Sequence, residues 1–331
     1  MNNGEILFLY DAKLTNPNGD PDDENRPRMD YQTGRNLVSD VRLKRYVRDY
    51  LQDVGNEIYV KRVGDGSVTT AGDRLRNLLG VEMPTYGHLP TILDKLIDIR
   101  LFGATIPIRK LNEEKPKTPG KTDEEKSGKA DRQVKEKSKG SSIQITGPVQ
   151  FAWGYSLNKV ELVDSYSITT AFSSVEGNKM GSMGKDYRIY YSLIAFFGAI
   201  SGKRAKFTRL TDSDLELLDQ SLIKSIPQQA TRSKIGQYPQ FYLRFVYKDE
   251  ETQFGDLRDY VKIKHNENLR DVEGVNLDVS DLNSFIEKNA ESIEKIRWWH
   301  NDKMSLSSND RTGKYSEICS KEIRNLLDPV N

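Results

Sequence analysis

Reduced to its main elements, this 331-residue sequence reads strand, helix, strands, helix, strand, an order that predicts an α+β fold of ferredoxin-like plan, βαββαβ. Two further observations shape the prediction. Apolar, β-prone runs alternate with segments of helical spacing. Long polar stretches interrupt the plan after the first helix and among the middle strands. One elaborated domain over 1–331, with large insertions, fits this better than two independent domains.

Glu5 to Leu14 (EILFLYDAKL) is apolar and stops at Asn-Pro-Asn-Gly, the pattern of a buried strand ending in a turn. An irregular polar loop follows, NPNGDPDDENRPRMDYQTG. From Asn36 to about Asp53 the spacing turns helical. At ~100° per residue, Leu37, Val41, Leu43, Val47, Tyr50 and Leu51 share one face, with Arg42, Arg45, Arg48 and Asp49 opposite. Asp73–Gly80 and Leu89–Leu101 predict two shorter helices.

Residues 109–142 then hold 11 Lys or Arg and 7 Asp or Glu with almost nothing apolar. Such an insertion cannot bury enough to fold alone and is expected to be disordered, or ordered only on assembly. Ser142–Phe172 is β-prone, and a small-residue stretch runs from Ser173 to Asp186. Tyr187–Ile200 predicts a strand. Thr211 predicts a helix cap, with Asp212 and Asp214 in the first turn and the helix reaching about Lys224. Phe241–Tyr247 alternates like a strand, and Ser280–Ala290 reads as a helix. Trp298, Trp299 and His300 follow Arg297 in a helix-like segment; the tryptophan pair is expected to anchor a contact or core edge rather than stack on a base. No role is legible for 251–331. RNA-recognition modules use this overall plan, but so do many unrelated proteins, so it assigns no function.

Bulk chemistry excludes several function classes. The formal net charge is +1, from 50 basic and 49 acidic side chains, so any RNA binding requires positive charge sorted onto one face. Cys319, the only cysteine, excludes a disulfide framework and a cysteine-based zinc site. His88, His265 and His300 lack ligand spacing. No run approaches the ~20 apolar residues of a membrane span. The N-terminus has no basic region before its short apolar stretch, as a secretory signal would. A reducing, cytoplasmic setting without membrane contact is the expectation, with no metal or cofactor.

Three constellations could carry function. The first runs from Asn16 to Arg48: a helix start with Asn36 or Ser39 as cap, leaving backbone N–H groups for an anion. Lys44, Arg45 and Arg48 add charge in the next two turns, and Arg26, Arg28 and Arg35 precede it. Composition alone leaves open an ordinary amphipathic helix with a solvated basic face. The second is the basic, glycine-containing loop Thr231–Gln237, with Arg232 and Lys234. The third is acidic. Asp20, Asp22, Asp23, Glu24 and Asp30 could gather a hard cation, yet the loop offers no histidine or lysine as partner acid or base.

The first segment, NPNGDPDDENRPRMDYQTGRNLVSDVRLKRYVRDYL, closely resembles the signature of the DevR-like backbone subunits of type I CRISPR surveillance complexes, the seventh Cas family in its I-B and I-C branches. Those subunits pass from a strand to Asn-Pro-Asn-Gly-Asp-Pro, a Pro-Arg step and a helix bearing Leu-Val-Ser/Thr-Asp and Leu-Lys-Arg. The matching residues are Asn16–Pro21, Pro27-Arg28, Leu37–Asp40 and Leu43–Arg45. Weaker likeness extends through Ile99–Gly103, Gly147–Asn158 and Tyr187 onward, to about residue 250.

The resemblance implies a modified RNA-recognition fold that binds a guide RNA without catalysis and polymerises along it head to tail. It further implies a thumb-like β-hairpin that wedges between nucleotides. Ser173–Asp186 is the candidate, with Lys179, Met180 (or Met183) and Lys185 as its contacts. Ser39, Lys44 and Arg45 are implied to lie along the RNA backbone. The expected RNA-facing set is completed by Asn18, Arg26, Arg28, Arg35, Arg48, Arg232 and Lys234. Implied partners are guide RNA, target DNA through the guide, further copies of the chain and other subunits of the complex. The alternatives are a metal-dependent ribonuclease using Asp22 or Asp30, and a general single-strand RNA binder.

Overall fold

The computed structural model describes residues 1–61, 70–108, 141–169, 183–264 and 268–330. Its centre is β1 (Gly4–Thr15), whose Ile6–Tyr10 run is wholly buried. An uninterrupted apolar run of this kind is what a strand covered on both faces requires. β1 pairs antiparallel with β3 (Ile189–Ile200) on one side and β4 (Gln237–Tyr247) on the other. The short β2 (Gly154–Ser156) lies beyond β3, followed by the strand Arg35–Val38. Beyond β4 come Ile293–His300 and Leu327–Pro329. The protein is thus a mixed α/β chain built on one large sheet.

Side chains on β1 alternate between two cores, as a pleated strand dictates. Ile6, Phe8, Tyr10 and Ala12 face α1 (Asp40–Asp53) and α2 (Asp212–Gln228), packing with Leu43, Tyr46, Val47, Leu218 and Leu222. Leu7 and Leu9 face the other way, with Leu193, Leu243 and Phe245, against Leu277, Leu282, Phe285, Leu306 and Tyr315. Apart from the two strands that extend the main sheet, the C-terminal residues therefore form a second layer over it, built on the helix Ser280–Lys288 and a small four-stranded sheet. Their apolar residues have a role that composition hides. Thr211 caps α2, as the sequence predicts, and does so in a reciprocal box with Asp214.

Three expectations change. Arg35–Val38 is a strand, because Leu37 and Val38 pair with Tyr155 and Gly154; α1 starts only at Asp40, capped by Ser39. Val41 is consequently 66% exposed, while Lys44 and Tyr46 turn inward. Trp298–His300 is strand, not helix, paired with Phe241–Leu243. Its alternation sends Trp298 to one core and Trp299 to the other, so the pair anchors both layers. Tertiary pairing overrides local spacing in each case.

The charged insertion springs from an antiparallel hairpin, Gly103–Ile108 with Ser141–Thr146. Residues 109–140 of that insertion lie outside the described residues, as do 173–182 of the thumb candidate. No helix among the described residues is long and apolar enough to cross a membrane.

Candidate nucleic-acid interface

The flat sheet face cannot serve as an RNA platform, since both faces are covered. What remains are the loops at the C-terminal end of β1. The Asn-Pro-Asn-Gly turn leaves β1 and is held from three sides.

On the first side, the Asn18 Oδ1 accepts from the Ser39 backbone N–H at 2.8 Å and the Ser39 hydroxyl at 2.9 Å. Ser39 Oγ in turn accepts from Arg42 N–H at 3.3 Å, capping α1. The turn and the helix N-terminus are one unit. On the second side, the loop 231–236 closes over the turn. The Asn16 N–H donates to the Ser233 carbonyl at 3.0 Å, and Lys13 N–H donates to Gly236 O at 2.9 Å. Gly236 has φ +96°, and a Cβ there would lie 2.6 Å from the Lys13 carbonyl, so only glycine closes this seam.

On the third side stands the stem of the thumb candidate, Ser167–Thr169 paired antiparallel with Met183–Lys185. Lys185 Nζ donates to both Glu24 oxygens, at 2.8 and 2.7 Å, and Tyr187 donates to Glu24 Oε2 at 2.8 Å. Lys185 holds the Glu24 carboxyl below its usual range. Arg26 lies over the Tyr187 ring, 4.6 Å from its centroid. Arg188 ties the stem to the other loops, donating to the Leu14 carbonyl at 2.7 Å and the Arg232 carbonyl at 3.1 Å.

The expected basic residues divide by their partners. Arg28 bonds Asp20 at 3.1 Å, and Arg35 is exposed over the Tyr155 ring. Arg232 is exposed, 3.4 Å from Asp186. Lys44 is 9% exposed and donates to Asp40 and Gln150, each at 3.0 Å. Arg45 pairs with Asp49 one turn on. Arg48 reaches the buried Asp98 at 2.9 Å. These last three hold the helix in place within the isolated chain. Lys179 and Met180 lie outside the described residues.

Lys234 is the most distinctive cation. Its ammonium donates to the Asn16 carbonyl and, at 3.1 Å, to the Pro17 carbonyl. Burial first, and repulsion from Arg42 second, bring its pKa down to about 7. Arg42 itself stacks on the Tyr46 ring at 4.0 Å, with its Nε buried and unpartnered and no carboxylate in ion-pair reach among the described residues. Sequence reasoning missed Arg42 and Arg188. Arg42 had a readable signal, three residues after the cap Ser39; Arg188 pairs locally with Asp186, but the carbonyls by which it ties the loops together lie 174 and 44 residues away.

Asp20, Glu24 and Asp30 of the acidic loop are engaged in internal bonds. Asp20 accepts from Arg28 and the Asp22 N–H, and Asp30 from Thr33 and the Gln32 N–H. Among the described residues no group of three or more acidic, histidine or cysteine side chains could hold a metal ion.

The family described as CRISPR-associated protein Cas7 matches residues 2–280. A CRISPR-associated protein Cas7 of Haloferax volcanii is 34% identical over 97% of this chain and 93% of its own length. Among solved structures, chains of a CRISPR RNA-guided surveillance complex (15% identical, TM-score 0.44, covering 89% and 88% of the two chains) and of a pre-nicking surveillance complex (13%, 0.48, 93% and 96%) are similar. Both likenesses are too distant to argue from.

Proposed function

This chain belongs to the CRISPR-associated Cas7 family, and from that premise we propose that it is a non-catalytic, guide-RNA-binding backbone subunit of a type I surveillance complex. The observation that carries the reading is the stitched surface at the end of β1, where Asn18, Ser39, Arg42, Lys234, Arg232 and Lys185 meet from three distant segments. Phosphates need several donors spaced along a backbone, and such contacts position RNA without reading its sequence.

The strand order β4-β1-β3-β2, with α1 and α2 on one face, supports the modified RNA-recognition plan. The paired stem at Ser167–Thr169 and Met183–Lys185 supports a thumb hairpin at Ser173–Asp186. Copies stacked head to tail along the RNA make a heterologous contact that does not close. The bases then stay free to pair with target DNA, the division of labour known for other CRISPR effectors. A near-balanced charge suits this stacking, since acidic surface on one copy can face basic surface on the next. The setting is cytoplasmic, with the other subunits of the complex as partners.

Sequencing the RNA that co-purifies from the native host tests the proposal. Repeat-derived guides are expected; a random transcript mixture would overturn it. A ribonuclease reading requires cleavage of matched RNA in Mg²⁺ that disappears with Asp22→Ala or Asp30→Ala; the bonds of Asp30 to Thr33 and the Gln32 N–H speak against that second residue.

A further inference from the structure

Trp153 is the one tryptophan left half exposed, at 48%, while Trp298 and Trp299 pack against the two cores. It stands in the short gap before β2, where the backbone is fixed at three successive residues. The Ala152 N–H donates to the Phe197 carbonyl at 2.9 Å. Arg258, only 8% exposed and bonded to Asp256, donates to the Trp153 carbonyl at 2.7 Å. A Cβ at Gly154 would lie 2.5 Å from the Phe196 ring, so only glycine lets β2 pack this closely. A large aromatic side chain held out from so firm a backbone is preorganised for a contact.

Two observations indicate what makes that contact. First, the ring continues the surface formed by Asn18 and Ser39. The Arg28 guanidinium lies 5.7 Å from its centroid, and the Arg28 N–H donates to the Asn18 carbonyl at 3.1 Å. β2 also pairs with Arg35–Val38, the strand that runs into the Ser39 cap of α1. Second, the charges around Trp153 and the neighbouring Tyr155 nearly cancel. Arg28 faces Asp20 and Arg258 faces Asp256, while Arg35 and Asp259 have no ion pair among the described residues. Such a balance favours neither an anion nor a cation and suits a flat, uncharged ring laid on the indole.

We propose that Trp153 is a sequence-independent stacking platform for one nucleobase of bound RNA, with Arg28 steadying the indole beside it. The platform rests on the RNA-binding reading. Stacking engages the face of a base, which all four bases possess, and leaves the Watson–Crick edge free to pair. It adds affinity without reading sequence, as the phosphate contacts do. A protein interface would bury such a ring within a wider apolar core, whereas the side chain that meets this one is a cation.

Oligo(A), oligo(U) and an abasic ribose-phosphate oligomer of equal length, each titrated into the purified full chain, test it. Oligo(A) and oligo(U) are expected to quench tryptophan fluorescence in the unmodified chain but not in Trp153→Phe, whose remaining tryptophans are packed in the cores. Trp153→Ala should weaken both about fivefold or more, the loss typical of one stacked base. The abasic oligomer and the salt dependence should be unaffected, since no phosphate contact is lost. Trp153→Phe keeps a smaller ring and should recover part of the affinity; its fluorescence decides the matter if the alanine variant does not fold. No quenching, quenching equal in Trp153→Phe, unchanged affinity in Trp153→Ala, or an equal loss for the abasic oligomer each overturns the platform. So does an alanine variant that binds the oligonucleotides normally but no longer assembles copies on long RNA, which marks a protein contact. RNA binding indifferent to Trp153 removes the platform alone; an unmodified chain that binds none of the RNAs removes the RNA-binding reading and the platform with it.

Discussion

Asn18 and Ser39 share one carboxamide oxygen: Asn18 Oδ1 receives both the backbone N–H and the hydroxyl of Ser39, at 2.8 and 2.9 Å. This contact joins the turn after β1 to the N-terminus of α1. Asn18→Ala should cost about 1–2 kcal/mol, the range for a lost cap with an orphaned donor. Urea unfolding would show it, and RNA affinity should fall as the turn loosens. Unchanged stability would mean the turn does not depend on this bond.

Lys44 and Arg45 should separate. Lys44→Ala leaves Asp40 and Gln150 short of a donor in a buried spot, with an expected cost of about 1–3 kcal/mol. Arg45→Ala breaks an i,i+4 pair and should cost about 0.5 kcal/mol or less. Paired denaturation curves decide. If both variants fold normally yet lose RNA, the two side chains leave their internal partners on assembly.

Arg232 is exposed beside Asp186, and its removal should scarcely change folding. Arg232→Ala should weaken guide binding to a similar degree for every sequence. The slope of log affinity against log salt should drop by about one, as for a single lost phosphate contact. A sequence-dependent loss would contradict this.

Lys234 has a pKa near 7 in the free chain, and a bound phosphate favours its charged form. RNA affinity should therefore be greatest below about pH 7 and decline as pH rises through and above it. Lys234→Arg, charged throughout, should flatten that dependence. Filter binding at constant ionic strength from pH 6 to 9 measures both.

Asp11 is pushed up to about 6 by burial, an effect only partly offset by the Gln240 amide, the Tyr238 backbone and the Tyr191 hydroxyl. Lys13 and Asp271 line a cavity together with Asp11. A raised carboxyl binds more protons folded than unfolded, so it destabilises above about pH 6 and not below about 4. Asp11→Asn should then be the more stable form at pH 8, by up to about 3 kcal/mol at ~1.4 kcal/mol per unit. The gain should vanish towards pH 4 in thermal melts.

Much of this molecule is local in origin. The apolar run Ile6–Tyr10, Ser39 as a cap and the Thr211–Asp214 box all follow from neighbours within four residues. Backbone preference, capping and apolar spacing act over that range, and so the strands, the helices and the family signature could be read directly. Partnership could not. Arg48 finds Asp98 50 residues on, Arg244 is buried against Asp219, and Trp298 joins a strand because Leu243 lies beside it. Whether a basic side chain is a free phosphate ligand or one half of an internal pair depends on which distant carboxylate the fold delivers to it. The same holds for Asp11 and Gln240, adjacent only because β1 and β4 are neighbours in the sheet. Charge and hydrogen bonding act through space, so the interface came from how the chain closes on itself.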